Sequence, residues 1–385
     1  MRARREPLRP ALTPPGLTRA DLTARLRLLL ALSRPPVFVL LAVYAVLGLT
    51  GTGHGEDRLL LARVLLPVAA FLVFSVAVND LADEHVDRVN LPGDPSRPLA
   101  GGMGEGRGQG RGLRWQLTIA AAVAGVMALA SAASLGWGPA LTVATGLVVS
   151  AAYSLPPVRL SARGAVASLV LPACYVAVPY LVGRLAAPPT ARSGGDGLLL
   201  AGLYVGFIGR ILLKDFRDVL GDALFGKRTF LLRHGRVWTC RFSAVCWTAG
   251  AVLLLAGAPH RTGTLVGVTA VHLAVTLWLL HGIARDDHPR REALRISAAA
   301  IVGRGLLLAL LAHESMPAVH WPGWAQSGML LALTALTLVQ AATMLRHGPR
   351  NRLALRVPTA EEAPLSPTPE PAAAATAAGS AAARP

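Results

Sequence analysis

Acidic residues are scarce in this chain: 21 Asp and Glu stand against 38 Lys and Arg, and charges of either sign make up only 15% of its 385 residues. Cysteine is scarcer still. Cys174, Cys240 and Cys246 lie in or near apolar stretches with no metal-type spacing, which excludes a zinc site or a disulfide framework and leaves packing as their role. A cleavable leader is not expected either. The basic N-terminus has no small-residue cleavage site behind a proper apolar region, so the first span itself is expected to direct insertion.

What is abundant is apolar. Hydrophobic residues make up 53% of the chain and the mean hydropathy is +0.49, far above what one soluble core needs. The fold expected is all-α: a polytopic membrane bundle of nine to ten transmembrane helices around a central cavity. Spans of about 20 residues are read at 36–53, 59–80, 115–135, 138–155, 164–184, 197–215, 237–257, 263–283, 295–312 and 326–346.

The net charge of +17 would suit nucleic acid if it formed one patch, but it alternates with the spans. Basic residues crowd the region before the first span and the connections after the second, fourth, sixth and eighth, whereas Gly136-Trp137-Gly138 after the third has none. This is the positive-inside pattern, and it places the N-terminus and the loops after the even spans in the cytoplasm of a cell-membrane protein, with no nucleic-acid partner. The basic flank Arg346, Arg350, Arg352 and Arg356 returns to that side only if the last span is real, which favours ten. Residues 1–20 and 357–385 are read as disordered tails around a transmembrane domain at 21–350. Leu22 to Leu32 reads equally well as a surface helix or as the start of a tilted first span.

Where acids do occur, they are patterned. Asn79-Asp80-x-x-Asp83-x-x-x-Asp87 and Lys214-Asp215-x-x-Asp218-x-x-x-Asp222 repeat one spacing, each at the polar end of an apolar run and each followed by a Gly-containing loop. At about 100° per residue, i, i+3 and i+7 share one helix face, so each triplet is expected to form a single acidic stripe. An Asp at a membrane-helix centre costs roughly 2.5–3.5 kcal/mol, so six gathered carboxylates imply neutralising cations. Hard oxygen ligands suit Mg²⁺, which binds through a few carboxylates plus substrate phosphate oxygens. The expected metal ligands are Asn79, Asp83, Asp87, Asp215, Asp218 and Asp222, with Asp80 joining them as a catalytic residue. Asn79, Arg34, Arg97, Arg159, Arg163 and Lys214 are candidates for holding a diphosphate, and Tyr153 for lining the pocket, with Tyr175, Tyr180, Tyr204 and Phe207 on neighbouring spans. Arg210 and Arg304 lie inside apolar runs and need a polar partner; Arg210 is expected either to serve the stripe near Asp215 or to form a structural ion pair. His85 and His272 have no second ligand at metal spacing and receive no role.

The two Asp motifs, together with Asn90, Arg97-Pro98-Leu99, Tyr153-Ser154, Pro157, Arg159 and Gly226-Lys227-Arg228-Thr229, closely resemble the UbiA superfamily of intramembrane prenyltransferases over roughly residues 30 to 312. The resemblance implies a bundle of typically nine spans around a cavity open laterally to lipid. It implies Mg²⁺ held by the two motifs, a polyprenyl diphosphate donor, and transfer of the prenyl group to an aromatic or other lipophilic acceptor. Val89-Asn90-x-Pro92 before Arg97-Pro98 leans toward members that act on homogentisate or chlorophyll-type acceptors, and Arg163 stands where many members carry Lys. A terpene cyclase would use the same cage without an acceptor, and a cation or phosphate transporter is a third reading.

Overall fold

The computed structural model describes residues 19–90, 97–99, 109–189, 195–319 and 322–348. Both proposed tails, apart from the last residues before 21, and most of the loop after the first motif lie outside the described residues. Every regular element among the described residues is helical.

The chain enters through α1 (Arg19–Ser33) and α2 (Pro35–Thr50), which meet at a 47° bend. Pro35 offers no N–H, and a residue before proline avoids the helical region, so Arg34 is forced out of the helix to φ 37°, ψ 69°. Leu28 and Leu32 of α1 are buried in the bundle core, so this segment is the packed first arm of a bent span. The rest of the first half comprises α3 (Arg58–Ala82), the short α4 (Glu84–Asn90), α5 (Gln109–Ala133) and α6 (Trp137–Ser154). After it, α7 (Ala165–Pro172) runs through a π-helical turn, Ala173–Ala177, into α8 (Val178–Leu185).

The second half follows as α9 (Asp196–Ile211), α10 (Asp215–Leu224), α11 (Phe230–Gly257), α12 (Gly263–Arg285), α13 (Pro289–Val319) and α14 (Gly323–His347). Among the described residues eight helices are long and apolar enough to cross a membrane, or up to nine with the bent pair counted as one. All ten expected stretches are helical, but 138–155 folds as α6, an 18-residue helix diluted by Thr142, Thr145, Ser150 and Ser154, which does not join that set. The last span is present as α14, so the final basic flank follows a real helix.

Lipid tails are as apolar as leucine, so the helices associate by close packing rather than by a hydrophobic drive. A Cβ on Gly183 of α8 would lie 2.0 Å from the Ala45 carbonyl oxygen of α2, and one on Gly48 2.0 Å from the Tyr180 carbonyl oxygen. Only glycine permits that crossing. The outward faces carry Val123, Val126, Val148, Val252, Leu336 and Val339, all exposed, as a lipid-facing surface requires. One buried cluster joins α1, α2, α3, α5, α6 and α8, and another joins α11, α12 and α13. The functional cavity lies between these two halves.

Candidate active site

The first motif is not the continuous stripe that its spacing predicts. Helix α3 stops at Ala82; Asp83 caps it at φ −105°, ψ 16°, and α4 restarts at Glu84. The break sends the three aspartates to different partners. Asp80 is buried and accepts from Arg34 at 2.7 Å and Arg97 at 2.5 Å. Arg97 also reaches Asp87 at 2.8 Å and the Asn79 side-chain oxygen at 3.2 Å. Asp83 turns the other way, taking a hydrogen bond from the Asn79 amide at 3.0 Å and an ion pair from Arg159 at 3.1 Å. Glu84, also buried, is held by Arg88 and Arg114. Burial pushes the Asp87 carboxyl up to about 6 despite the pull of Arg97.

Arg34 and Arg159 are the non-glycine residues at positive φ among those described, at 37° and 36°. Each gives its guanidinium to a first-motif aspartate. Backbone held in this sparsely populated region costs of order 1–3 kcal/mol, and such strain gathers where surrounding structure and function demand it.

The second motif does keep its stripe. A turn at Leu212–Lys214 separates α9 from α10, and Asp215, Asp218 and Asp222 fall on one face of α10. Lys214 pairs with Asp218 at 3.3 Å. Helix α10 ends with Gly226 at φ 67°, which lets the Lys227 N–H return to the Asp222 carbonyl at 2.8 Å and the Gly226 N–H to the Ala223 carbonyl at 3.3 Å. This glycine-terminated cap aims Lys227 at the first motif. Its ammonium lies 3.4 Å from Asp83 and 3.6 Å from Asp222, bridging the two motifs. Burial raises the Asp222 carboxyl, and Lys227 opposes the rise. Since α4 packs on α10, both motifs occupy one end of the bundle.

They open on a cavity of about 440 Å³, within the usual range for ligand sites. Asn79, Asp83, Asp215, Asp218 and Asp222 line it, as do Arg34, Arg97, Tyr153 and Lys214. Asp80, Asp87, Arg159 and Arg163 are not on its wall. Asp80 and Asp87 stand behind Arg97, Arg159 acts through Asp83, and Arg163 is exposed. The π-helical turn places Cys174 and Tyr175 on the wall, and Tyr175 stacks on Phe207 with centroids 5.7 Å apart. Tyr180 is buried in the core instead, and Tyr204 donates to the Leu169 carbonyl. Lys227 and Arg217, which are not among the expected site residues, also reach the cavity. Arg210 reaches it too, but among the described residues it pairs with no aspartate, contrary to both expectations for it.

The donor set is carboxylate and amide oxygen, hard ligands suited to Mg²⁺. Among the described residues no three His, Cys, Asp or Glu side chains close around one ion.

A family model described as the UbiA prenyltransferase family matches residues 37–302. The chain is 28% identical over 258 residues to the bacteriochlorophyll synthase 34 kDa chain of Chloroflexus aurantiacus, covering 66% of this chain and 77% of that one. It is 31% identical over 282 residues to the homogentisate phytyltransferase of Synechocystis sp., covering 66% of this chain and 84% of the relative. A solved structure of a UbiA homolog from Archaeoglobus fulgidus bound to GPP and Mg²⁺ shares the fold, with TM-score 0.51, 15% identity, and coverage of 82% of this chain and 99% of that one. With paired aspartate motifs meeting at one end of a helical membrane bundle and a family match across both, this chain belongs to the UbiA prenyltransferase family.

Proposed function

We propose that the protein is a Mg²⁺-dependent prenyltransferase that binds a polyprenyl diphosphate at the aspartate-lined end of the cavity and passes the prenyl group to a lipophilic, aromatic-type acceptor. The observation that carries this is Lys227 lying between Asp83 and Asp222, which puts the two motifs within reach of one small charged group. Asn79, Asp83, Asp215, Asp218 and Asp222 would hold the metal. When bound, Mg²⁺ neutralises the diphosphate oxygens and stabilises the charge that gathers on them as they leave.

The chain's own residues do the rest. Arg97, Lys214 and Lys227 sit among the aspartates and hold the diphosphate from the sides. The allylic carbon–oxygen bond breaks with its electron pair leaving on the diphosphate. Tyr153, Tyr175 and Phe207 present aromatic faces to the resulting cation and keep water from it. The electron-rich acceptor then forms the new bond to the allylic carbon, and the proton it loses passes to the departing diphosphate. Asp80 and Asp87 fix the position of Arg97 and so act one layer out.

The positive-inside pattern supports a cell-membrane protein with this end and the N-terminus facing the cytoplasm. The experiment is diphosphate release from a panel of allylic diphosphates by the full chain in lipid nanodiscs, with and without aromatic acceptors. Asp83→Ala and Asp218→Ala are expected to reduce release to background while retaining wild-type helicity. Full activity in either variant sinks the reading, and a cyclised hydrocarbon formed without acceptor would reassign the protein as a cyclase.

A further inference from the structure

The cations around the cavity divide into two groups. Arg34, Arg97, Arg159, Lys214 and Lys227 each pair with an aspartate of the two motifs. Arg210, Arg217 and Arg304 also line the cavity, yet among the described residues none of them forms an ion pair. Arg210 Nη1 is buried without a hydrogen-bond partner, its guanidinium resting 5.8 Å from the Phe207 ring centroid. Arg304 and Arg217, of its own sign, line the same cavity. Arg217 sits beside Asp218 in sequence but donates to Ser297 Oγ of α13, at 2.9 Å. On α13, Ile296, Ala300 and Arg304 share the cavity face, and a rise of 1.5 Å per residue puts Arg304 about 10 Å beyond Ser297 along the helix. The three arginines thus belong to the α9, α10 and α13 lining of the cavity.

A buried guanidinium N–H without a partner is costly unless an anion joins it; Arg210 carries one, and Arg217 and Arg304 stand exposed on the lining of the same cavity. The diphosphate already has its own set of cations at the aspartate end. We propose that Arg210, Arg217 and Arg304 form a second anion site that takes the acidic group of the acceptor, a carboxylate or a phosphate, and so orients its nucleophilic part toward the prenyl carbon beside Phe207 and Tyr175. This rests on the prenyl-transfer reading above, since it assigns the other substrate of the same cavity.

The test uses the full chain in nanodiscs and equilibrium dialysis with homogentisate, its methyl ester, phenyl phosphate and, separately, Mg²⁺–pyrophosphate. The wild type is expected to bind homogentisate or phenyl phosphate at least tenfold more tightly than the neutral ester, and whichever acid is preferred identifies carboxylate or phosphate as the group. Arg210→Gln and Arg304→Gln should abolish that preference while leaving pyrophosphate binding within twofold. Arg304 is exposed in the structure, so Arg304→Gln serves as the variant that retains the fold, checked by helicity and elution. A preference that survives both substitutions, or wild-type binding that is equal or absent for all three probes, overturns the proposal. Parallel loss of pyrophosphate binding would assign the arginines to the donor and overturn it as well. Failure of the prenyl-transfer reading appears elsewhere, as no diphosphate release from any allylic diphosphate whatever the acid binding shows.

Discussion

Lys227 Nζ lies 3.4 Å from Asp83 Oδ1, linking the loop after one aspartate motif to the break in the other. The ammonium occupies ground between carboxylates that a divalent cation would share, and it is also a cation available to a departing diphosphate. These two roles have opposite signatures. Lys227→Met should lower the Mg²⁺ concentration needed for half-maximal rate, because competition for Asp83 and Asp222 is removed. It should also lower kcat about tenfold, the worth of one charge-assisted hydrogen bond of roughly 1.5 kcal/mol. A Mg²⁺ titration of both enzymes separates the effects, and an unchanged kcat would remove Lys227 from the chemistry.

The aim of Lys227 depends on Gly226, whose φ of 67° costs an alanine roughly 1 kcal/mol or more. Gly226→Ala is therefore expected to reproduce part of the Lys227→Met loss, although residue 226 carries no functional group. Steady-state rates for the single and double variants check this: the double variant should be no slower than Lys227→Met by more than about twofold.

Much of this arrangement is legible in the residues alone. The apolar runs become helices at all ten places, and two equal aspartate spacings mark two helix ends that meet at one cavity. Periodicity cannot show that Asp83 breaks its helix, because its partners Arg159 and Lys227 are distant in sequence. It therefore makes Asp80 and Asp87 look equivalent to Asp83, when Arg97 holds both of them off the cavity wall. Lys227 belongs to the Gly226-Lys227-Arg228-Thr229 stretch that carries the resemblance, but its role in the site is not legible, because a lysine in a loop after an even span is also what the positive-inside rule supplies. Tyr175 reaches the wall through a π-helical turn, for which the run Pro172-Ala173-Cys174-Tyr175 carries no reliable mark.

Asp80 and Asp83, three residues apart, should separate stability from activity. Asp80 is 2% exposed and joins Arg34 and Arg97, and removing one partner of a buried ion pair costs about 3 kcal/mol. Asp80→Asn should lower the thermal midpoint in nanodiscs markedly. Asp83→Asn should leave that midpoint closer to wild type and remove nearly all turnover. Thermal unfolding followed by helicity, run beside diphosphate-release assays on both variants, decides the matter; equal destabilisation would mean that Asp83 is as structural as Asp80.

Phe207 stacks on Tyr175 and stands 5.8 Å from the Arg210 guanidinium, where apolar wall meets the unpaired arginines. If the allylic cation passes this face, replacing the ring removes a cation–π contribution of about 1 kcal/mol, worth roughly fivefold in rate. Phe207→Leu keeps the wall apolar, so a simple loss of packing would lower the rate without changing what is made. Loss of cation protection predicts more than a slower enzyme: the fraction of donor ending as prenyl alcohol, captured by water, should rise relative to prenylated acceptor. Mass-spectrometric quantification of both products measures that ratio directly. A slower enzyme with an unaltered ratio would leave Phe207 as a packing residue and place the reacting carbon nearer Tyr153.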